Sequence, residues 1–175
     1  MKYALIGCGR ISPNHIVAAQ KNGLDIVALC DLKRENIEDK VKKFDLSCDI
    51  KTYTNYIEML QEERPELVAI ATESGKHAEI VLKCMDYGCN LIIEKPIALS
   101  IEDADKIIEK ANQLHLKVCA CHQNRFNKSI QKIREALEKN RFGKMFYGTA
   151  HVRWCRAREY YDRASWRGTW EQDGG

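Results

Sequence analysis

A glycine-rich turn near the amino terminus carries the clearest chemical signal in the sequence. Gly7, Gly9 and Ser12 follow the G-x-G-x-x-G/A spacing, and they stand between a short apolar run and a helical stretch. Gly7 permits a tight turn, Gly9 lets a diphosphate approach the backbone, and Ser12 is small enough for close helix packing. Free N–H groups at a helix start attract phosphate. The turn predicts a dinucleotide site, and the alternative is a turn that only packs helix on strand.

An aspartate at the end of the second apolar run extends this signal. Asp31 stands 24 residues after Gly7. A carboxylate there accepts hydrogen bonds from both ribose hydroxyls of NAD and repels the extra phosphate of NADP. The alternative is an aspartate that caps the next helix. Because Lys33 and Arg34 weaken the repulsion, NAD is the predicted cofactor and NADP the less favoured one.

Polar residues recur at the carboxyl ends of the predicted strands, the edge at which open parallel sheets bind ligands. Lys95, beside Pro96, is the predicted catalytic residue, because its ammonium can orient a substrate hydroxyl and stabilise oxyanion character during hydride transfer. The alternative is a surface lysine paired with Glu94. His77 is interpreted either as a cleft residue or as a local packing residue. The five polar sets are residues 7–12, Asp31, residues 72–74, residues 94–96 and residues 122–124.

The order of apolar and amphipathic segments predicts the elements that position these residues. Apolar runs without strict alternation, typical of parallel strands covered on both faces, occupy residues 3–6, 25–30, 67–71, 90–93 and 117–121. Residues 49–53 form a candidate edge strand. Helical periodicity occupies residues 13–21, 34–44, 56–63, 76–87 and 101–114. The repeated strand–helix–strand units predict an α/β fold with a doubly wound parallel Rossmann sheet.

The pattern changes after residue 122. A helix is predicted over residues 128–140, and residues 144–153 alternate and are rich in aromatic and β-branched residues, which predicts a strand of a new sheet. We therefore expect residues 1–122 to form the dinucleotide domain. Residues 123–175 are expected to form a linker helix and the incomplete start of an α+β second domain.

Composition argues against several classes of function. A net charge of +3 over 175 residues, with basic and acidic residues interleaved, argues against nucleic acid. No apolar run has the length of a membrane span. No metal site is predicted, because Cys121 and His122 point to opposite faces of a strand. Without a signal peptide, the eight cysteines are expected to be reduced in a cytoplasmic protein, with Cys30 and Cys119 buried in strands.

Four segments, together with Asp31, resemble the Gfo/Idh/MocA family of glucose–fructose oxidoreductases and inositol dehydrogenases. They are GCGRIS, IATESGKHAEI, LIIEKPIALS and CHQNRF, and the resemblance covers essentially the whole chain. Glu73 and the run HVRWCRAREYYDRASWRGTWEQDGG resemble the branch of UDP-N-acetylglucosaminuronate 3-dehydrogenases. The resemblance implies NAD(P)-dependent oxidation of a secondary hydroxyl of a sugar or nucleotide-sugar. It also implies a homo-oligomer at full length.

The resemblance further assigns roles to individual residues. Lys95 is implied to orient the substrate. The implied cofactor-binding residues are Gly7, Gly9, Arg10, Ile11, Ser12, Asp31, Thr72, Ser74, His77, Glu94, Lys95 and Gln123. The implied substrate-binding residues are Lys95, Gln123, Asn124, Arg125, Arg153, Tyr160 and Tyr161, of which the last three would meet a uronate or a diphosphate.

One departure from the family concerns its general base, a histidine that follows a double glycine. The sequence ends at that double glycine, and its five histidines lie elsewhere, so we expect NAD binding with little or no turnover by this chain alone. The alternatives are a non-catalytic NAD-binding regulatory module and an interaction domain that exposes Trp154, Trp166 and Trp170. Lys95 favours the enzyme lineage, since cofactor binding alone has no use for it.

Overall fold

Strands and helices alternate along the chain in the computed structural model, which describes residues 1–174. The strands are β1 (Lys2–Ile6), β2 (Asp25–Cys30), β3 (Lys51–Tyr53), β4 (Leu67–Ile70), β5 (Asn90–Ile93) and β6 (Val118–Ala120). The helices are α1 (Ser12–Lys21), α2 (Arg34–Lys43), α3 (Tyr56–Glu63), α4 (His77–Asp86), α5 (Ile101–Gln113), α6 (Lys128–Glu138) and α7 (Arg158–Asp162). Short 3-10 helices span Ser74–Lys76 and Gln123–Phe126.

The six strands form one sheet in the order β3-β2-β1-β4-β5-β6, and every neighbouring pair is parallel. The chain leaves β1 toward β2 on one side and later returns to place β4 on the other side. A crevice opens at such a reversal, beyond the carboxyl ends of the strands. The predicted α/β doubly wound parallel sheet is confirmed, and its reversal lies at the end of β1.

The central strands β1 and β4 are buried on both faces of the sheet. Alternate residues of β1 enter two separate core clusters, with Ala4 and Ile6 in one and Tyr3 and Leu5 in the other. Helices α3, α4 and α5 cover the first face, and α1 and α2 cover the second. This two-sided burial explains why the strands lack polar alternation. Each buried leucine or isoleucine contributes about 1.5–3 kcal/mol.

The cysteines differ in exposure according to their place in the sheet. Burial, followed by the charge of Asp31, raises the pKa of Cys8 and Cys30 to about 12, so both thiols stay protonated at neutral pH. The prediction that Cys119 is buried is wrong, because β6 is an edge strand and the Cys119 side chain is exposed. All eight cysteines are free thiols.

The described residues divide into two compact units. The first contains residues 1–121 and 168–174, and the second contains residues 122–167. The prediction of a strand over residues 144–153 is wrong, since these residues form no strand. A strand needs a hydrogen-bonded neighbour, and residues 122–167 contain no other strand to pair with. No helix within residues 1–174 combines the length and apolar character that crossing a bilayer requires.

Candidate functional site

The turn between β1 and α1 has the geometry of a phosphate-binding loop. Gly7 has φ +94°, and a Cβ there would lie 2.6 Å from the Ala71 backbone, so only glycine fits. A Cβ on Gly9 would meet nothing within 4 Å, which leaves its backbone open to a ligand. The fully buried Ser12 donates its hydroxyl proton to the Gly9 carbonyl at 2.6 Å. No side chain of the described chain caps α1. Pro13 has no N–H and the Asn14 amide donates to the Ile11 carbonyl at 3.0 Å, so an anion would meet the amides that precede Pro13.

The other two fingerprint residues lie on different sides of this turn. The Arg10 side chain is exposed, whereas Ile11 is half-buried and packs against the core cluster beneath the turn. The structure therefore packs Ile11 beneath the turn, and the cofactor contacts assigned to Arg10 and Ile11 stay predictions.

Asp31 ties the glycine turn to the start of α2. One of its carboxylate oxygens accepts the Cys8 amide proton at 2.8 Å, and the other accepts from the Lys33 amide at 2.9 Å and the Asn36 side chain at 3.0 Å. A carboxylate offers about four acceptor positions. These three contacts therefore leave room for about one ribose hydroxyl, and two hydroxyls would displace one of them. The capping role and the predicted ribose role are compatible at this residue.

His77 joins the loops that follow β4 and β5. Its ring is 1% exposed, and Nδ1 lies 2.7 Å from the Pro96 carbonyl oxygen while Nε2 lies 3.2 Å from the Thr72 carbonyl oxygen. Both nitrogens are thus engaged by backbone. His77 therefore packs against the segment that carries Lys95, and the cofactor contact assigned to it stays a prediction.

Glu94 is fixed by a partner that sequence analysis missed. Its Oε1 lies 3.0 Å from Nε2 of His15, and the two side chains are 14% and 8% exposed. Burial raises the pKa of Glu94, but the His15 hydrogen bond and charge, with the Lys95 amide and ammonium, outweigh it and hold the pKa below its usual range. A signal was available, since His15 lies on the buried face of α1 beside Ile16 and Ala19.

Lys95 is exposed at the carboxyl end of the sheet. Within residues 1–174 its ammonium forms no ion pair, although its charge acts on Glu94, which His15 holds at 3.0 Å. The alternative of a surface Lys95–Glu94 pair is therefore not what the structure shows. Nearby, Ser74 is buried, and the half-buried Thr72 donates its hydroxyl proton to the Glu73 carbonyl at 3.4 Å.

The remaining predicted substrate residues belong to the second unit. Gln123, Asn124 and Arg125 are exposed in a 3-10 helix, and Arg153 is also exposed. Tyr160 and Tyr161 pack edge to face with centroids 5.2 Å apart. The roles of these six residues at the crevice stay predictions, as do the cofactor contacts assigned to Thr72, Ser74 and Glu94.

Gly75 receives the carboxyl-terminal segment of the first unit. Its amide donates to the Gln172 carbonyl at 3.0 Å. A Cβ on Gly75 would lie 2.6 Å from Gln172 Oε1 and 2.7 Å from the Glu171 carbonyl oxygen. Only glycine therefore lets residues 168–174 pack on the loop that follows β4.

Gly75→Ala is expected to release this segment and leave the sheet intact. The lost hydrogen bond contributes about 0.5–1.5 kcal/mol, so the melting temperature should fall only slightly. Trypsin cleavage after Arg167 and hydrogen exchange over residues 168–174 should both accelerate. Gly148→Ala is the control, because a Cβ there meets nothing within 4 Å. Equal cleavage in the two variants would contradict the packing role of Gly75.

The topology and the glycine turn define a Rossmann domain of the dinucleotide-binding type. Residues 1–122 match the Gfo/Idh/MocA oxidoreductase family, described by its NAD-binding Rossmann fold. The chain belongs to this family, and NAD is the cofactor of its domain.

Known relatives agree with this assignment. The chain is 31% identical over 153 residues to D-apiose dehydrogenase of Paraburkholderia graminis, which covers 87% of this chain and 40% of that protein. It is 24% identical over 147 residues to myo-inositol 2-dehydrogenase of Thermotoga maritima, a match that covers 82% of this chain and 42% of that protein. The WlbA dehydrogenase of Bordetella pertussis was solved with NADH and UDP-GlcNAcA. It superposes on this chain with a TM-score of 0.91 at 32% identity, and the match covers 98% of this chain and 52% of that protein. The chain thus spans about half the length of these relatives, or less.

Proposed function

We propose that this chain is the cofactor-binding part of a dehydrogenase that oxidises a secondary hydroxyl of a nucleotide-linked uronic acid. The observation that carries the proposal is the open Gly9 backbone on the same sheet edge as the Lys95 ammonium, which forms no ion pair with any described residue. The substrate class is supported by the WlbA dehydrogenase, which was solved with UDP-GlcNAcA. The relatives named as sugar and inositol dehydrogenases support the reaction class.

Binding of the cofactor would fall to the turn and its neighbours. Backbone amides between Gly9 and Ser12 would meet the diphosphate, since a Cβ on Gly9 meets nothing within 4 Å and α1 has no side-chain cap among the described residues. Asp31 would accept a ribose hydroxyl at its remaining position. The ionised Glu94 carboxylate, fixed by His15, would accept a hydroxyl further along the crevice. When bound, NAD supplies the hydride acceptor.

Lys95 would act on the substrate. Its ammonium is positioned by the segment that His77 anchors through Pro96. A cation beside the reacting hydroxyl orients the oxygen and stabilises the negative charge that develops there as the hydride leaves. That role needs an ammonium that is not already paired with a carboxylate, as the structure provides.

The test combines ligand binding with a lysine variant. We expect NADH to bind with a change in nicotinamide fluorescence, and UDP-GlcNAcA to bind the NADH complex, as measured by calorimetry. Lys95→Ala should weaken UDP-GlcNAcA binding at least about tenfold, or about 1.4 kcal/mol, with NADH affinity changed less than about threefold. Any turnover, followed as NADH absorbance, should fall with it.

Lys106→Ala provides the matched control, because Lys106 is an exposed lysine paired with Asp103 on α5. NADH binding without UDP-GlcNAcA binding would overturn the substrate proposal and leave a non-catalytic NAD-binding module. An equal loss of both ligands in Lys95→Ala would contradict the assigned role of Lys95.

A further inference from the structure

Three metal-ligating side chains converge at the carboxyl edge of the sheet. One potential ligand atom each from His15, Glu94 and Cys121 lies within 4.8 Å of the other two. His15 and Glu94 are 8% and 14% exposed, and Cys121 is half-buried. The cluster is therefore a largely desolvated group of one nitrogen, one oxygen and one sulfur donor.

The sheet register explains why these residues meet. Ile93 of β5 pairs with Ala120 of β6, so the residues that follow them leave the sheet side by side. The Cys121 amide fixes this alignment by donating to the Ile93 carbonyl at 2.8 Å. His15 reaches Glu94 from α1. The three donors thus stand on rigid elements, which favours a defined site.

We propose that His15, Glu94 and Cys121 form a binding site for a zinc-like divalent cation. Zinc takes nitrogen, thiolate and carboxylate ligands at about 2.0–2.3 Å and accepts three protein ligands with a fourth position open. Binding would draw the three ligand atoms, which lie within 4.8 Å of one another, onto one ion. Magnesium and calcium prefer oxygen ligands, so the mixed donors select against them.

Two neighbouring side chains, Tyr3 and Lys95, affect cation binding at the cluster. The Tyr3 hydroxyl is buried without a hydrogen-bond partner among residues 1–174, and its electrostatic interaction with Cys121 places it near the cluster. The Lys95 ammonium opposes cation binding, because it interacts electrostatically with Glu94. The carboxylate and the metal-bound thiolate together offset that single charge.

A cation at this site has a consequence for the cofactor. It would engage the Glu94 carboxylate and break the 3.0 Å contact between Glu94 and His15. Glu94 is one of the residues assigned to the cofactor, so zinc and NADH should compete. This consequence rests on the proposed function, whereas cation binding itself does not.

Cobalt(II) is the probe, because its visible spectrum reports tetrahedral coordination and a thiolate ligand. The exposed cysteines Cys48, Cys119 and Cys155 are first replaced by serine to remove adventitious thiol binding. We expect one equivalent of cobalt to bind with a thiolate charge-transfer band, and zinc to displace it. Adding Cys121→Ser should remove the band, and adding Glu94→Gln should weaken cobalt binding at least about tenfold.

His115→Asn is the matched control, because His115 lies beyond the other end of β6 and Asn tolerates its positive φ of 55°. Absence of the thiolate band, or its persistence in Cys121→Ser, would overturn the site. If zinc binds without weakening NADH affinity, the expected competition between zinc and NADH is contradicted. If NADH fails to bind even without metal, the proposed function fails and the cobalt spectra still decide the site.

Discussion

Gly9→Val is expected to weaken NADH binding at least about 100-fold, or about 2.7 kcal/mol, without destabilising the protein. A side chain at this position would stand where the diphosphate approaches the turn, and the charged hydrogen bonds from the backbone would be lost. Each such bond contributes about 1.5–3 kcal/mol. The fold accommodates the branching carbon, because a Cβ on Gly9 meets nothing within 4 Å.

The measurement is an NADH fluorescence titration beside a thermal melt. Gly148→Val serves as the control, since a Cβ on Gly148 also meets open space but lies in the second unit. We expect the control to bind NADH as the parent chain does. Both variants should have the melting temperature of the parent chain. NADH affinity within about threefold of the parent in Gly9→Val would mean that the dinucleotide lies elsewhere, since such a change is under about 1 kcal/mol.

Gly7→Ala is expected to destabilise the fold by at least about 3 kcal/mol. Two effects combine at this position, a φ of +94° that L-residues rarely adopt and a Cβ placed 2.6 Å from the Ala71 carbonyl carbon and oxygen. Relief requires separating β1 from β4, because the Ala71 amide donates to the Ile6 carbonyl at 2.8 Å. For a chain of this size, we expect the melting temperature to fall by about 6–12 °C.

Gly23→Ala separates the two effects, because Gly23 has φ +63° but open space around its Cβ. Its destabilisation should come only from the left-handed backbone conformation and amount to about 1–2 kcal/mol. The difference between the two variants, measured by urea unfolding, isolates the steric clash. Equal destabilisation would show that the backbone between β1 and β4 relaxes around the added methyl group.

Gly7 and Gly9 thus stand in the same turn for different reasons. Gly7 is required by the protein itself, because the backbone of the neighbouring strand leaves no room for a side chain. No contact within the described residues requires glycine at position 9, so we infer that a ligand accounts for its lack of a side chain. A sequence pattern cannot make this distinction, since both positions are simply glycine.

Local sequence signals predicted most of the fold and part of the site. Apolar runs and helical periodicity depend on residues close in sequence, so they predicted the alternating elements and the parallel sheet, and the glycine turn predicted the position of the crevice. The strand predicted at residues 144–153 failed because alternation cannot supply the hydrogen-bonded neighbour that a strand needs. Cys119 is exposed because strand order, which its own sequence does not encode, puts β6 at the edge.

The sequence alone determined the class of this protein, since the glycine spacing and the strand–helix repeats are local and chemically specific. Only the tertiary structure decided the pairing of His15 with Glu94 and of Asp31 with the Cys8 amide, and the convergence of Cys121 on the same edge. The physical reason is that these contacts join residues that lie far apart in the chain. Strand register and helix placement bring them together, and no local pattern records either.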